Sequence, residues 1–158
     1  MSAKLFKNIG FCTDFSENAD QAFIVAKDLA VQFTASLEII HVTVSFSISP
    51  PVHATYMPIE YDPKFIEEVT QAALKSIQEK YVEKLPAGLS YHVNIESGYA
   101  ATEILRVVEE KHLDLLVMGS HGLTGLAHVL FGSTADRVIR KASCSVLTVR
   151  FRDRSSTA

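Results

Sequence analysis

Four of the seven glycines fall between positions 119 and 132, in Gly119-Ser120-His121-Gly122-Leu123-Thr124-Gly125 and then Gly132-Ser133-Thr134. Residues of these types at this spacing can hold an anion. Glycine lets the backbone turn tightly and approach a bound oxyanion closely. The stretch begins where the apolar run Leu113-Asp114-Leu115-Leu116-Val117-Met118 ends, and it finishes where a helix-like segment from Ser133 to Lys141 begins. The first N–H groups of a helix have no partner within it, and the helix dipole favours negative charge there. Ser133 and Thr134 add hydroxyls where capping residues are preferred. On these residues alone two readings stand open: an anion-binding loop and a purely structural one.

A second polar cluster, Thr13-Asp14-Phe15-Ser16, follows the first apolar run. Asp14 can accept a hydrogen bond from a ligand or shape the turn before a helix, and the two roles are compatible. Several familiar chemistries are absent. The chain has no G-x-x-x-x-G-K-[ST] phosphate loop, no G-x-G-x-x-G after the first strand, and no G-x-S-x-G nucleophile elbow. Ser120 and His121 are adjacent, a poor arrangement for sharing a proton, and no third member completes a triad. Cys12, His121, His128 and Cys144 lack zinc-ligand spacing. His41 reads as a hydrogen-bonded core histidine. Arg137, Arg140 and Lys141 read as a solvated face that also complements a helix C-terminus. No acid–base or nucleophile–base pair presents itself, so multiple-turnover catalysis is not expected.

The elements that must position these clusters alternate along the chain. Leu5–Cys12 reads as a strand. Ser16 reads as an N-cap, followed by a helix whose Ala19, Ala22, Phe23, Ala26, Leu29, Ala30 and Phe33 share one face. Leu37–Val44 reads as the second strand. Lys64–Lys84 reads as a helix with Ile66, Val69, Ala73 and Ile77 on one face, stopped by Pro86 and Gly88. Tyr91, Val93 and Ile95 alternate with His92, Asn94 and Glu96, which implies one wet face or an edge strand. After Gly98 comes a short helix with Ile104, Leu105 and Val108. Leu113–Met118 has the apolar character of a central strand. The last helix has Val138, Ile139 and Ala142 inward, and Ser145–Val149 is the final strand. Five strands alternating with four helices predict a single α/β domain. Its core would be a doubly wound, mostly parallel, Rossmann-like sheet with helices on both faces. Ligands of such sheets bind at the carboxyl ends of strands where the order reverses. If the first and fourth strands are neighbours, Asp14 and the glycine loop flank one crevice.

Residues 45–63 interrupt this pattern and hold four of the five prolines. A loop this long is either a loosely packed insertion or a flap or partner-binding arm. With 15 Lys plus Arg against 18 Asp plus Glu, the net charge is −3, which argues against a general nucleic-acid binder. No run reaches the ~18 apolar residues of a membrane span. Met1–Lys7 lacks the apolar core of a signal peptide, and two cysteines make no disulfide framework, so a cytoplasmic location is expected. Residues 151–158 read as a polar tail.

The spacing Gly119-x-x-Gly122, nine residues, then Gly132-Ser133 resembles the G-2x-G-9x-G-[S/T] signature of the universal stress protein family. Thr13-Asp14-Phe15-Ser16 is similar to that family's T-D-F-S segment, His41-Val42 to the pair ending its second strand, and Met118-Gly119-Ser120-His121-Gly122 to its M-G-S-H-G run. The resemblance spans about residues 3–150 and points to the ATP-binding branch. It implies one nucleotide-binding domain over residues 1–150, with the counterpart of Asp14, beside Thr13, at the ribose or adenine and the backbone at Val42 meeting the adenine. Met118 would belong to the same nucleotide-binding set, and Gly119, Ser120, His121 and Gly122, with Gly132, Ser133 and Thr134, would surround the phosphates, with a divalent ion such as Mg2+ or Mn2+ on the phosphate oxygens. Cys12 stands where the family often has proline or a small apolar residue, which bears on the adenine end. The implied function is that of a dimeric regulatory sensor of ATP, ADP or AMP that pairs through the last strand, 145–149, and acts on an unidentified protein partner. A slow ATPase or phosphotransferase, and a dimeric scaffold with a vestigial pocket, are the alternatives.

Overall fold

A computed structural model describes residues 5–44, 63–121 and 132–150. The segment 45–62, Gly122 and Gly125 of the glycine loop, and the tail 151–158 lie outside the described residues. The chain runs β1 (Asn8–Thr13), α1 (Glu17–Phe33), β2 (Ser36–Val44), α2 (Pro63–Lys80), a 3-10 turn (Val82–Lys84), β3 (Tyr91–Gly98), α3 (Ala100–Glu110), β4 (Leu115–Gly119), α4 (Ser133–Lys141) and β5 (Ser145–Val149). The five strands form one sheet in the order β3-β2-β1-β4-β5, and every pairing is parallel. The sheet is therefore doubly wound, and wholly rather than mostly parallel.

Alternation along the strands sends side chains to two separate cores. On one face Ile9, Phe11, Leu37, Ile39, Leu115 and Val117 pack against Ala22, Phe23, Ala26 and Ala30 of α1, Ile77 of α2, and Tyr81. On the other, Cys12, Ile40, Leu116 and Met118 pack against Ala101, Ile104, Val107 and Val108 of α3 and Ala135 and Val138 of α4. β3 is an edge strand, as its alternation suggests. Its polar face is closed by buried Glu38, which accepts from Asn94 Nδ2 at 2.8 Å and pairs with His92 Nδ1 at 2.8 Å.

Several expected boundaries move for packing reasons. β1 starts at Asn8 and not at Leu5, because the N–H groups of Lys7 and Asn8 are taken by the Asp114 carboxylate at 2.7 and 2.9 Å. β4 starts at Leu115 and not at Leu113. Leu113 N–H instead closes α3 by donating to Val108 C=O at 3.0 Å, after His112 turns left-handed with φ 48°. The helix expected to run to Lys84 ends at Lys80, where Tyr81 turns into the core and a 3-10 turn follows. Of the face shared by Ile66, Val69, Ala73 and Ile77, the last two are buried, while Ile66 and Val69 stay 50 % and 36 % exposed. On α4 the small residue Ala135 takes the inward place expected of Ile139, which is 39 % exposed. Among the described residues, no helix is long and apolar enough to cross a membrane.

Candidate functional site

β1 and β4 are hydrogen-bonded neighbours, with Cys12 opposite Met118. From β1 the chain winds outward to β2 and β3 on one side and, later, to β4 and β5 on the other. The two βα turns therefore part company at their carboxyl ends and leave a crevice. A cavity of about 330 Å³ lies there.

Its wall is chemically graded. Ile40 and Val42 of β2, Ala100 and Ile104 of α3, and Met118 of β4 make an apolar end. Gly119 and His121 after β4, with Gly132, Ser133 and Thr134 at the start of α4, make a polar one. Thr13 and Asp14 lie on the wall at the end of β1, beside Cys12 and Ala19. Asp14 is the only carboxylate among the described residues of the wall, which carries no Lys or Arg. An anion held there would rest on backbone N–H groups and hydroxyls.

The start of α4 suits that task. Its N-cap is Gly132 and not the hydroxyl residues that follow, and among the described residues no side chain caps the helix. Gly132 N–H donates to Ser120 C=O at 2.9 Å, which ties the two ends of the glycine loop together. Ser120 itself is 2 % exposed and does not line the cavity. Its N–H donates to Val149 C=O of β5 at 2.9 Å and its hydroxyl meets His121 Nδ1 at 3.0 Å, so it anchors the base of the loop. Gly119 is crowded from behind. A Cβ there would lie 2.8 Å from Asn18 Cβ and 3.1 Å from the Asn18 carbonyl carbon, so α1 begins against the end of β4.

Asp14 sits in a tightly bonded turn. Its Oδ1 accepts from Ser16 N–H at 3.1 Å and from Ser16 Oγ at 2.6 Å, while Ser16 Oγ caps α1 by accepting from Ala19 N–H at 3.3 Å. Phe15 adopts φ 64°, in the left-handed region. Its N–H donates to Thr13 Oγ1 at 3.0 Å, and its C=O accepts from Lys80 Nζ at 3.2 Å. Thr13 Oγ1 lies 2.8 Å from the hydroxyl of Tyr81, which donates to Asp20 Oδ1 at 2.7 Å. Lys80 Nζ completes the group 3.0 Å from Asp20 Oδ2. Burial pushes the Tyr81 hydroxyl well above the usual phenol range, so it keeps its proton. Burial likewise raises the Cys12 thiol. His41 Nδ1 is 2.8 Å from Thr13 C=O, and its ring lies 4.5 Å from that of Phe15.

Of the residues singled out from the sequence, Thr13, Asp14, Val42, Met118, Gly119, His121, Gly132, Ser133 and Thr134 come together on this wall. Ser120 lies beneath it, and Gly122 falls outside the described residues. Ile40, Ala100, Ile104 and Ala135 were missed, since apolar residues in a strand or a helix face read as ordinary core. Tyr81, Lys80 and Asp20 were missed because Asp20 lies 61 residues before Tyr81 and meets it and Lys80 only in the fold.

Comparison with known proteins places this geometry among relatives. The sequence model of the universal stress protein family matches residues 5–150. The chain is 36 % identical over 147 residues to universal stress protein MJ0531 of Methanocaldococcus jannaschii, covering 92 % of this chain and 83 % of that protein. It is 28 % identical over 148 residues to universal stress protein YxiE of Bacillus subtilis, covering 92 % and 100 %. The solved structure of MJ0577 superposes with a TM-score of 0.78 at 27 % identity, covering 94 % of this chain and 99 % of that one. A universal stress protein solved in complex with cAMP shares the fold, with a TM-score of 0.64 at 21 % identity over 92 % and 97 % of the two chains.

Proposed function

The chain belongs to the universal stress protein family, and on that premise we propose that it is a regulatory module whose cavity at the carboxyl ends of β1 and β4 binds an adenine nucleotide. The observation that carries this reading is the graded wall of that cavity: an apolar end, a carboxylate at its edge, and a helix start capped only by glycine. A base fits the end made by Ile40, Val42, Ile104 and Met118, where ring burial is favourable. Asp14 suits the ribose, whose hydroxyls donate to a carboxylate. It does not suit phosphate, which a carboxylate repels. Gly119, His121, Gly132, Ser133 and Thr134, with Gly122, would surround the phosphates, and Ser120 would hold the loop in place from below. Among the described residues, no group of three His, Cys, Asp or Glu could hold a metal ion. A divalent cation such as Mg2+ or Mn2+ would therefore arrive with the phosphates and be ligated largely by them.

The test is calorimetric titration with adenosine, AMP, ADP, ATP and cAMP, with and without Mg2+, on wild type and Gly132→Val. Gly132 has φ −65° and ψ 159°, which valine accepts, so the variant should fold. Its branched side chain would stand at the cavity wall where phosphate must approach. Wild type should bind ATP with Mg2+, and the variant should lose on the order of tenfold or more in affinity, about the effect of one phosphate contact with its amide hydrogen bonds. Equal ATP affinity in the two proteins would place the phosphates elsewhere.

A further inference from the structure

We propose that Tyr81 and Lys80, at the C-terminal end of α2, are positioning residues that clamp the β1–α1 turn in the shape that turns Asp14 into the cavity. The ligand side of this inference rests on the nucleotide reading above. Neither residue lines the cavity, so each acts through the turn.

The turn needs such support. Phe15 holds φ 64°, a conformation that costs a non-glycine residue energy and persists only where its surroundings fix it. Three contacts do so. The Phe15 C=O accepts from Lys80 Nζ at 3.2 Å. Its ring lies parallel to that of Tyr81, with centroids 6.3 Å apart and an angle of 6°. Its N–H enters a chain of hydrogen bonds whose direction is set by the far end. A carboxylate only accepts, so Tyr81 donates to Asp20 and must accept from Thr13, which in turn accepts from Phe15 N–H. Lys80 holds the terminal Asp20 at 3.0 Å. Asp14 is the residue between the two that this chain grips, Thr13 and Phe15. The hydroxyl of buried Tyr81 therefore links α2, β1 and α1 at the point where Asp14 leaves the backbone.

Tyr81→Phe and Lys80→Met test this. Tyr81→Phe keeps the ring packing and removes only the hydroxyl. In calorimetry both variants should weaken adenosine and ATP by the same factor, roughly fivefold for a lost hydrogen bond. The loss should vanish when each is combined with Asp14→Ala, because the residue being aimed is then gone. A merely structural role would lower the urea midpoint while leaving the two losses additive, and additivity would overturn the proposal. A second measurement needs no ligand. In nucleotide-free protein the amide NMR signals of residues 14–16 should shift or broaden in both variants while those of β4 stay in place. Unmoved signals at 14–16 would overturn the clamp even if nucleotide binds. Moved signals in the variants, with a wild type that binds no nucleoside, would uphold the clamp and overturn the nucleotide reading instead.

Discussion

Asp14 has two claims on its carboxylate, one from the turn and one from the cavity, and a single substitution separates them. Asparagine keeps an oxygen for the N–H and hydroxyl of Ser16 but removes the charge. Asp14→Asn should therefore unfold at nearly the wild-type urea concentration. By calorimetry it should lose affinity for adenosine and ATP equally, by about 1–2 kcal/mol, the difference between a charge-assisted and a neutral hydrogen bond. If the carboxylate faced phosphate, its neutralisation would tighten ATP and leave adenosine unmoved, and that result would reverse the assignment. Cys12 offers a probe of the apolar end. Its buried thiol ionises only well above the ordinary value of 9.0, so the nucleophilic thiolate is scarce at neutral pH. Alkylation followed by mass spectrometry should show Cys12 reacting slowly, at a rate that is still climbing as the pH passes 9.0. Saturating nucleotide should slow Cys12 further and leave Cys144 alone, since only Cys12 lines the cavity. Equal protection of both thiols, or of neither, would count against a base lying beside Cys12.

Between elements β4 meets the first turn of α1 closely, and Gly119 makes the approach possible. Gly119→Ala would put a methyl 2.8 Å from Asn18 Cβ and 3.2 Å from the Ala19 backbone nitrogen, neither of which can swing aside. The expected cost is about 1–3 kcal/mol of stability, as for other overpacked sites, read as a lower urea midpoint with an unchanged slope. A variant as stable as wild type would mean that α1 and β4 adjust independently. Elements of this kind differ in how much of them the sequence carries. α1 was legible from Ser16 onward because its cap, acidic first turn and apolar period agree. α4 and β5 keep the bounds read from the sequence, since a glycine opens the one and a β-rich run makes the other. The end of α2 was not legible. Tyr81 continues the period of Ala73 and Ile77, and only its hydrogen bonds to Thr13 and Asp20 show that the helix stops to deliver it. Ala135 was overlooked for Ile139 because alanine carries little hydrophobic signal, although it is buried in the second core. The polar rim of the cavity was legible from glycine spacing and strand-end residues. Of its apolar floor Val42 and Met118 were expected through the family resemblance, but Ile40 and Ile104 were not, because a cavity-lining isoleucine and a core isoleucine look alike in a sequence.

For the molecule as a whole, a five-stranded open sheet leaves two edges, and they differ. β3 presents His92, Asn94 and Glu96 along one face, partly tied to Glu38. β5 is short and rich in β-formers, Ser145-Val146-Leu147-Thr148-Val149, with Leu147 37 % exposed. An apolar edge of this kind invites strand pairing, and a two-fold axis beside it would join two copies through the same surface. We propose that β5 is the dimer contact, in line with the family resemblance. The hydrogen-bond pattern identifies the residue that tests it. Ser145 N–H donates to Asp114 C=O, and Val149 C=O accepts from Ser120 N–H, so both residues face β4. By the alternation of a parallel strand, the N–H and C=O of Val146 and Thr148 face outward. Thr148→Pro therefore removes an outward donor and spares the inward ladder. Sedimentation at micromolar concentration should find wild type as a dimer and Thr148→Pro, folded by circular dichroism, shifted to monomer. A monomeric wild type, or a folded variant that stays fully dimeric, would rule out this edge as the interface.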